Sequence, residues 1–166
     1  PTILRNEGST TNLISVSANS KPVTFEGFTF INDTENTGIG MNASAGSGGS
    51  LTLKNCGFRI SPTGLKISGN SGKVLIYNTL FADGGTGISS ADANTTIVNA
   101  TFANNTTDLI GTPAGIYNSV AWNNDVQNLA NQTNNNNVVI AGTIANDDVQ
   151  NGPNFVDPLN INKEIR

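Results

Sequence analysis

The chain has 166 residues and a net charge of −4, and it lacks the clustered Lys and Arg that neutralise nucleic-acid phosphates. Charged residues make up only 12% of it, no apolar run is long enough to cross a membrane as a helix, and Asn alone occurs 27 times. Asn, Thr, Ser and Gly are poor in helix interiors and good in turns, so the composition predicts short strands joined by corners.

The chain enters at Pro1 with neither Met nor a leader-like stretch, which reads as a mature or excised portion of a longer protein. A strand-like "TIL" follows at once, and the segment Ile14-Ser15-Val16 alternates apolar and polar as a half-buried strand does. From Val23-Thr24-Phe25 onward a repeat sets in. Its anchors are Phe25, Leu53, Ile76, Ile97 and Ile116, at steps of 28, 23, 21 and 19 residues. Two residues after the anchors stand Gly27, Asn55, Asn78, Asn99 and Asn118, and five residues after the first four come Phe30, Phe58, Phe81 and Phe102.

A second apolar series, Ile39, Leu65, Ile88, Leu109 and Leu129, drifts with the first at steps of 26, 23, 21 and 20. Two markers shortening together over a period of 19–28 residues define a solenoid. Leucine-rich repeats have similar periods, but they need Leu at most anchors and a helical segment in each unit. These anchors mix Ile, Leu, Val and Phe, and nothing reads as a helix. The fold class expected is therefore all-β, a parallel β-helix of about six coils. Residues 1–137 supply the coils, and residues 138–166 supply an atypical last coil and closing segment.

The Asn column has a physical reason. A tight corner between strands needs a left-handed backbone, which Asn tolerates best after Gly, and stacked carboxamides can hydrogen-bond from coil to coil. Asn55, Asn78, Asn99 and Asn118 are thus read as a structural ladder, and the Phe column as core. The slot after the Asn holds Cys56, Thr79, Ala100 and Ser119, all small. Cys56 is the only cysteine and the chain contains no histidine, so neither an internal disulfide nor a Cys–His pair can form.

Units of the form apolar-x-Asn-Cys-x-Phe, followed by "NSVAWNN" and "GPNFVDPLN", resemble right-handed parallel β-helices of the pectate-lyase-like superfamily. The closer resemblance is to its bacterial surface and secreted branch. It is carried by Asn118, Ser119, Trp122 and Asn123, then by Pro153, Phe155, Val156, Asp157 and Pro158. The resemblance implies a secreted or cell-surface location and a core-facing slot for Trp122. It also brings polysaccharide lyases and glycoside hydrolases into view. Their residue sets do not match: His is absent, Arg occurs only at Arg5, Arg59 and Arg166, and the one adjacent acidic pair is Asp147-Asp148 in the last unit. Asp83, Asp92, Asp108 and Asp125 read as turn residues, not as two carboxylates facing across a cleft.

The expected function is accordingly a non-enzymatic module that binds a glycan or surface protein or serves as a rigid scaffold. The alternatives are a fragment of a polysaccharide lyase or glycoside hydrolase, or a structural subunit of a surface assembly. Tyr77 and Tyr117 alternate outward and are the candidate ligand contacts. No cofactor is implied. The Asp/Asn-rich corners have the ligand types of Ca²⁺ but lack the fixed spacing of calcium-binding nonapeptide repeats. The polar run 131–137 reads as a solvated loop. Open strand edges at the solenoid ends imply other domains of a longer chain, or neighbouring subunits, as partners there.

Overall fold

A computed structural model describes residues 2–6, 12–32, 38–69, 71–133, 135–136 and 138–141. The expected closing segment beyond Ala141, with Asp147-Asp148 and the Phe-Val-Asp-Pro motif, lies outside the described residues. What is described is a parallel β-solenoid. Strand β1 (Thr2–Asn6) precedes turns of three strands each. The first turn comprises β2 (Ile14–Ala18), β3 (Pro22–Glu26) and β4 (Phe28–Asn32), and the second β5 (Ile39–Ala45), β6 (Ser50–Lys54) and β7 (Gly57–Arg59). The third has β8 (Thr63–Ile67), β9 (Lys73–Tyr77) and β10 (Leu80–Ala82), and the fourth β11 (Thr86–Ala91), β12 (Thr95–Val98) and β13 (Thr101–Ala103). The fifth has β14 (Thr107–Gly111), β15 (Gly115–Tyr117) and β16 (Val120–Trp122).

The last described turn replaces its first strand by a 3₁₀ segment, Asn128–Asn131, before β17 (Asn135–Asn136) and β18 (Val139–Ala141). Among the described residues there are thus five complete turns before this one, and the polar run 131–137 contributes strand β17 instead of being loop throughout. Like strands of successive turns pair in parallel. The first sheet contains β2, β5, β8, β11 and β14; the second runs from β3 to β17; the third runs from β1 to β18.

The lumen is filled by stacked columns. Phe30, Phe58, Phe81 and Phe102 pair rung by rung in the third sheet, with Ala121 next in register. Their rings stack at centroid separations of 4.7, 5.1 and 5.1 Å, close to the spacing of paired strands. Leu53, Ile76, Ile97 and Ile116 form the facing column of the second sheet, fully buried. In the first sheet the buried column is Met41, Leu65, Ile88 and Leu109. Here the structure corrects the repeat alignment. Ile39 pairs with Thr63, and Met41 takes the slot beside Leu65. A shift of two residues keeps the same strand face, so the apolar pattern could not reveal the slip. Leu129 is buried as expected, but on the 3₁₀ segment and not on a strand.

The corner from the second to the third sheet is left-handed in each of the five complete turns: Gly27, Asn55, Asn78, Asn99 and Asn118 have φ between 47° and 74°. Asn78 Nδ2 donates to Asn55 Oδ1 at 3.1 Å and Asn99 Nδ2 to Asn78 Oδ1 at 3.0 Å, while Asn55 Nδ2 reaches Glu26 Oε1 at 3.4 Å. Each of these three Nδ2 groups donates toward the preceding turn. A second left-handed column stands at the corner after the third sheet, with no single residue type to mark it in the repeat: Ile60, Asp83, Asn104 and Asn123, with φ of 55°, 59°, 54° and 52°. Asn123 donates to Asn104 and Asn104 to Asp83, at 2.9 and 3.2 Å. Arg59 closes that series by donating to Asp83 at 2.8 Å.

Ile60 is the misfit of this column, because a β-branched residue at positive φ crowds its Cβ against the backbone. Ile60→Asn is expected to raise stability by about 1 kcal/mol by relieving that strain. The check is a higher urea midpoint with an unchanged m-value, and a lowered midpoint would mean that Ile60 packing outweighs the strain.

Behind this corner lies a buried pair. Asn105 Nδ2 donates to Phe81 O and to Asn124 Oδ1, both at 3.0 Å, and Asn124 Nδ2 donates to Phe102 O at 3.0 Å. These bonds satisfy carboxamides that are 3% and 0% exposed, as buried polar groups require.

Candidate functional site

Catalysis on glycans needs two carboxylates facing each other across a cleft, and most of the described acids are held in other bonds. Glu26 pairs with Lys54 at 2.9 Å. Asp83 accepts from Arg59 and Asn104. Asp92 accepts from the Asn94 backbone amide at 2.9 Å and from Thr95 Oγ1 at 3.2 Å, closing its own turn.

Asp108 is a correction to the sequence reading. It lies on strand β14, fully buried, and not at a turn. Its Oδ1 accepts from the backbone amides of Leu109 (2.6 Å) and Asn128 (2.8 Å), and its Oδ2 from that of Leu129 (3.2 Å). It therefore caps the 3₁₀ segment across one rung, where the residue before that segment, Gln127, supplies no side-chain cap. The matching positions of earlier turns are Gly40, Gly64 and Gly87. A Cβ at each would come within 2.6, 2.8 and 2.5 Å of a carbonyl oxygen in the next turn. Asp is accommodated only where a 3₁₀ segment, and not another strand, follows.

Burial raises the Asp108 pKa above its ordinary value, and the Leu129, Asn128 and Leu109 amides pull it back only in part. A carboxyl whose folded pKa exceeds its unfolded one favours folding most below the unfolded value, and that advantage fades as pH rises through the folded value. Asp108→Asn, which keeps one acceptor oxygen and removes the charge, is expected to gain on the parent protein between pH 4 and pH 7. Urea midpoints of both proteins at the two pH values test this; a stability difference independent of pH would show that the carboxyl does not titrate as described.

The outward face of the second sheet carries the candidate ligand contacts. One column reads Glu26, Lys54, Tyr77, Val98 and Tyr117. The next reads Thr24, Thr52, Leu75, Thr96 and Gly115. Tyr77 and Tyr117 thus stand in one column, two rungs apart, with Val98 between them. Tyr77 is half-buried and Tyr117 is 39% exposed. A side chain at Gly115 would meet Tyr117 Cε2 and Oη at 2.6 Å and Cζ at 2.8 Å. The Tyr117 ring therefore leans back along its strand over Gly115, which lays it down on the sheet and leaves one ring face to solvent.

Beside these columns, at the corner between the first and second sheets, runs a shallow groove of about 440 Å³. Residues 47–50 and 71–73 line it together with Pro22 and Asn94, so its only charged lining residue is Lys73.

Trp122 differs from expectation. It pairs with Ala103, one residue past the lumen column, and is half-buried on the outer side of the third sheet; Ala121 takes the core slot. Cys56 is buried, with Sγ 3.4 Å from Lys54 O and 3.5 Å from Phe25 O. Thr79 and Ser119 bond the corresponding carbonyls, Tyr77 O and Tyr117 O, at 2.9 Å in later turns. Among the described residues no three His, Cys, Asp or Glu side chains gather as metal ligands, and no helix is long and apolar enough to cross a membrane.

Comparison of the chain with protein-family models, with curated proteins and with solved structures gives no significant match. The class defined by the fold is a parallel β-solenoid, and the reading of its function rests on the geometry above.

Proposed function

We propose that the chain is a non-enzymatic module of a bacterial secreted or cell-surface protein, a rigid β-solenoid that holds a glycan or a surface protein against its side. The observation that carries this is the employment of the acids. Of the five acids among the described residues, Glu26, Asp83, Asp92 and Asp108 are each engaged in a bond that holds a turn, a ladder or a cap, which leaves the exposed Asp125 where glycan cleavage needs two facing carboxylates. The finer kinship, with pectate-lyase-like β-helices, is supported by the single-residue left-handed Asn corner and the stacked Phe column.

Incubation with polygalacturonate, pectin and alginate, with and without Ca²⁺, is expected to leave each polymer intact. Appearance of unsaturated or reducing ends would overturn the module reading in favour of a lyase or hydrolase fragment.

A further inference from the structure

Twice in one column of the second sheet a tyrosine is carried on the outward side, and the strands beneath fix the interval between the two backbone positions. Tyr77 and Tyr117 are separated by two strand spacings, about 10 Å. Val98 between them is short, so the column forms a saddle with an aromatic ring at either end. Gly115 is what allows the Tyr117 ring to lie down. A tyrosine laid on a sheet offers a rigid apolar surface with a polar tip, at small cost in side-chain entropy.

From this geometry we infer that the outward face of the second sheet binds one linear, uncharged, β-linked glycan laid across the turns, with a sugar face on each tyrosine. This inference rests on the binding-module reading above and names its ligand and contacts. An extended β-linked chain turns the same ring face to one side at every second sugar, and that repeat is close to the interval between the two tyrosines. The neighbouring column supplies the Thr96 hydroxyl beside the middle of the saddle and the Thr52 hydroxyl one rung beyond Tyr77. Beyond it the groove edge adds Ser50, Lys73 and Asn94, donors and acceptors suited to sugar hydroxyls.

Charge favours a neutral ligand. The chain carries a net charge of −4, and Lys54, at the end of the tyrosine column, is already neutralised by Glu26. Only Lys73 offers a positive charge along the groove, against Asp92 at the neighbouring corner.

The test is titration of the intact chain with cellohexaose, maltohexaose and hexagalacturonate, followed calorimetrically and by tyrosine fluorescence at low and high salt. Cellohexaose should bind with little salt dependence, maltohexaose should bind much more weakly, and Tyr77→Ala and Tyr117→Ala should each weaken binding about tenfold. Both variants should keep the parent melting temperature, since neither ring belongs to the lumen. Three results would overturn the inference: no binding of cellohexaose, binding untouched by either substitution, or salt-sensitive preference for hexagalacturonate. Glycan retention untouched by the tyrosine variants would sink this site while leaving the module reading intact, whereas chain cleavage would sink the module reading itself.

Discussion

Phe81→Ala should lower stability by about 3–5 kcal/mol, the largest effect of any single truncation considered for this chain. Phe81 is 1% exposed and sits between Phe58 and Phe102, each 5.1 Å away and within 10° of parallel. Removing it takes away one buried aromatic side chain and opens a void inside a column whose rungs are held at fixed spacing by strand pairing. The walls can close the void only by breaking register, because the backbone on both sides is committed to the ladders of the third sheet. A typical domain is stable by about 5–15 kcal/mol, so the loss takes a large share of the total. Thermal unfolding should shift down by roughly 10 °C, and Phe81→Leu should recover more than half of the loss. In a solenoid the damage is also local: amide exchange should accelerate first in β7, β10 and β13, the strands of the damaged stack. A melting temperature within a degree or two of the parent would mean that the stack does not carry the lumen.

Asn99→Val should cost about 2–3 kcal/mol for a different reason. Asn99 is exposed and its side chain fills no cavity, so burial is not at issue. It holds φ at 53° and donates to Asn78 Oδ1 at 3.0 Å. Val at a left-handed position costs about 1–2 kcal/mol, and the ladder bond accounts for about another 1. Asn99→Gly separates the two contributions, since Gly accepts the backbone and loses only the bond. It should cost about 1 kcal/mol or less. Urea unfolding of both variants gives the comparison. Equal costs for Val and Gly would show that the carboxamide alone matters; no cost for Val would contradict the corner argument altogether.

The ease with which different parts of this fold are read from sequence follows from how narrowly each slot restricts its residue. The Asn99 column is visible because its corner requires one conformation and also rewards one side chain, so four Asn recur at one phase of the repeat. The second left-handed column is hidden because it is filled by Ile60, Asp83, Asn104 and Asn123; the backbone demand is the same, but no single residue type marks it. Ile39 misleads for yet another reason, since alternation fixes the face of a strand and not its register. The 3₁₀ segment was invisible because Leu129 continues the apolar step while the cap that allows the change, Asp108, lies twenty residues upstream. At the candidate site, alternation alone turns Tyr77 and Tyr117 outward. That the Tyr117 ring lies over Gly115 depends on side-chain direction along the strand, which period-two patterning does not encode.

The glycines at positions 40, 64 and 87, and the aspartate that takes their place at 108, give the solenoid a punctuation mark. Each glycine permits another strand to be laid against its own, whereas Asp108 reserves its amide-facing oxygens for a segment that is no longer a strand. The switch from strand to 3₁₀ segment in the first sheet is thereby written separately from the number of turns before it. A whole turn copied or deleted upstream would change how far the outward face extends, while the Asp108 cap would form unchanged. A lineage carrying this arrangement can vary that reach by duplicating turns without disturbing the cap.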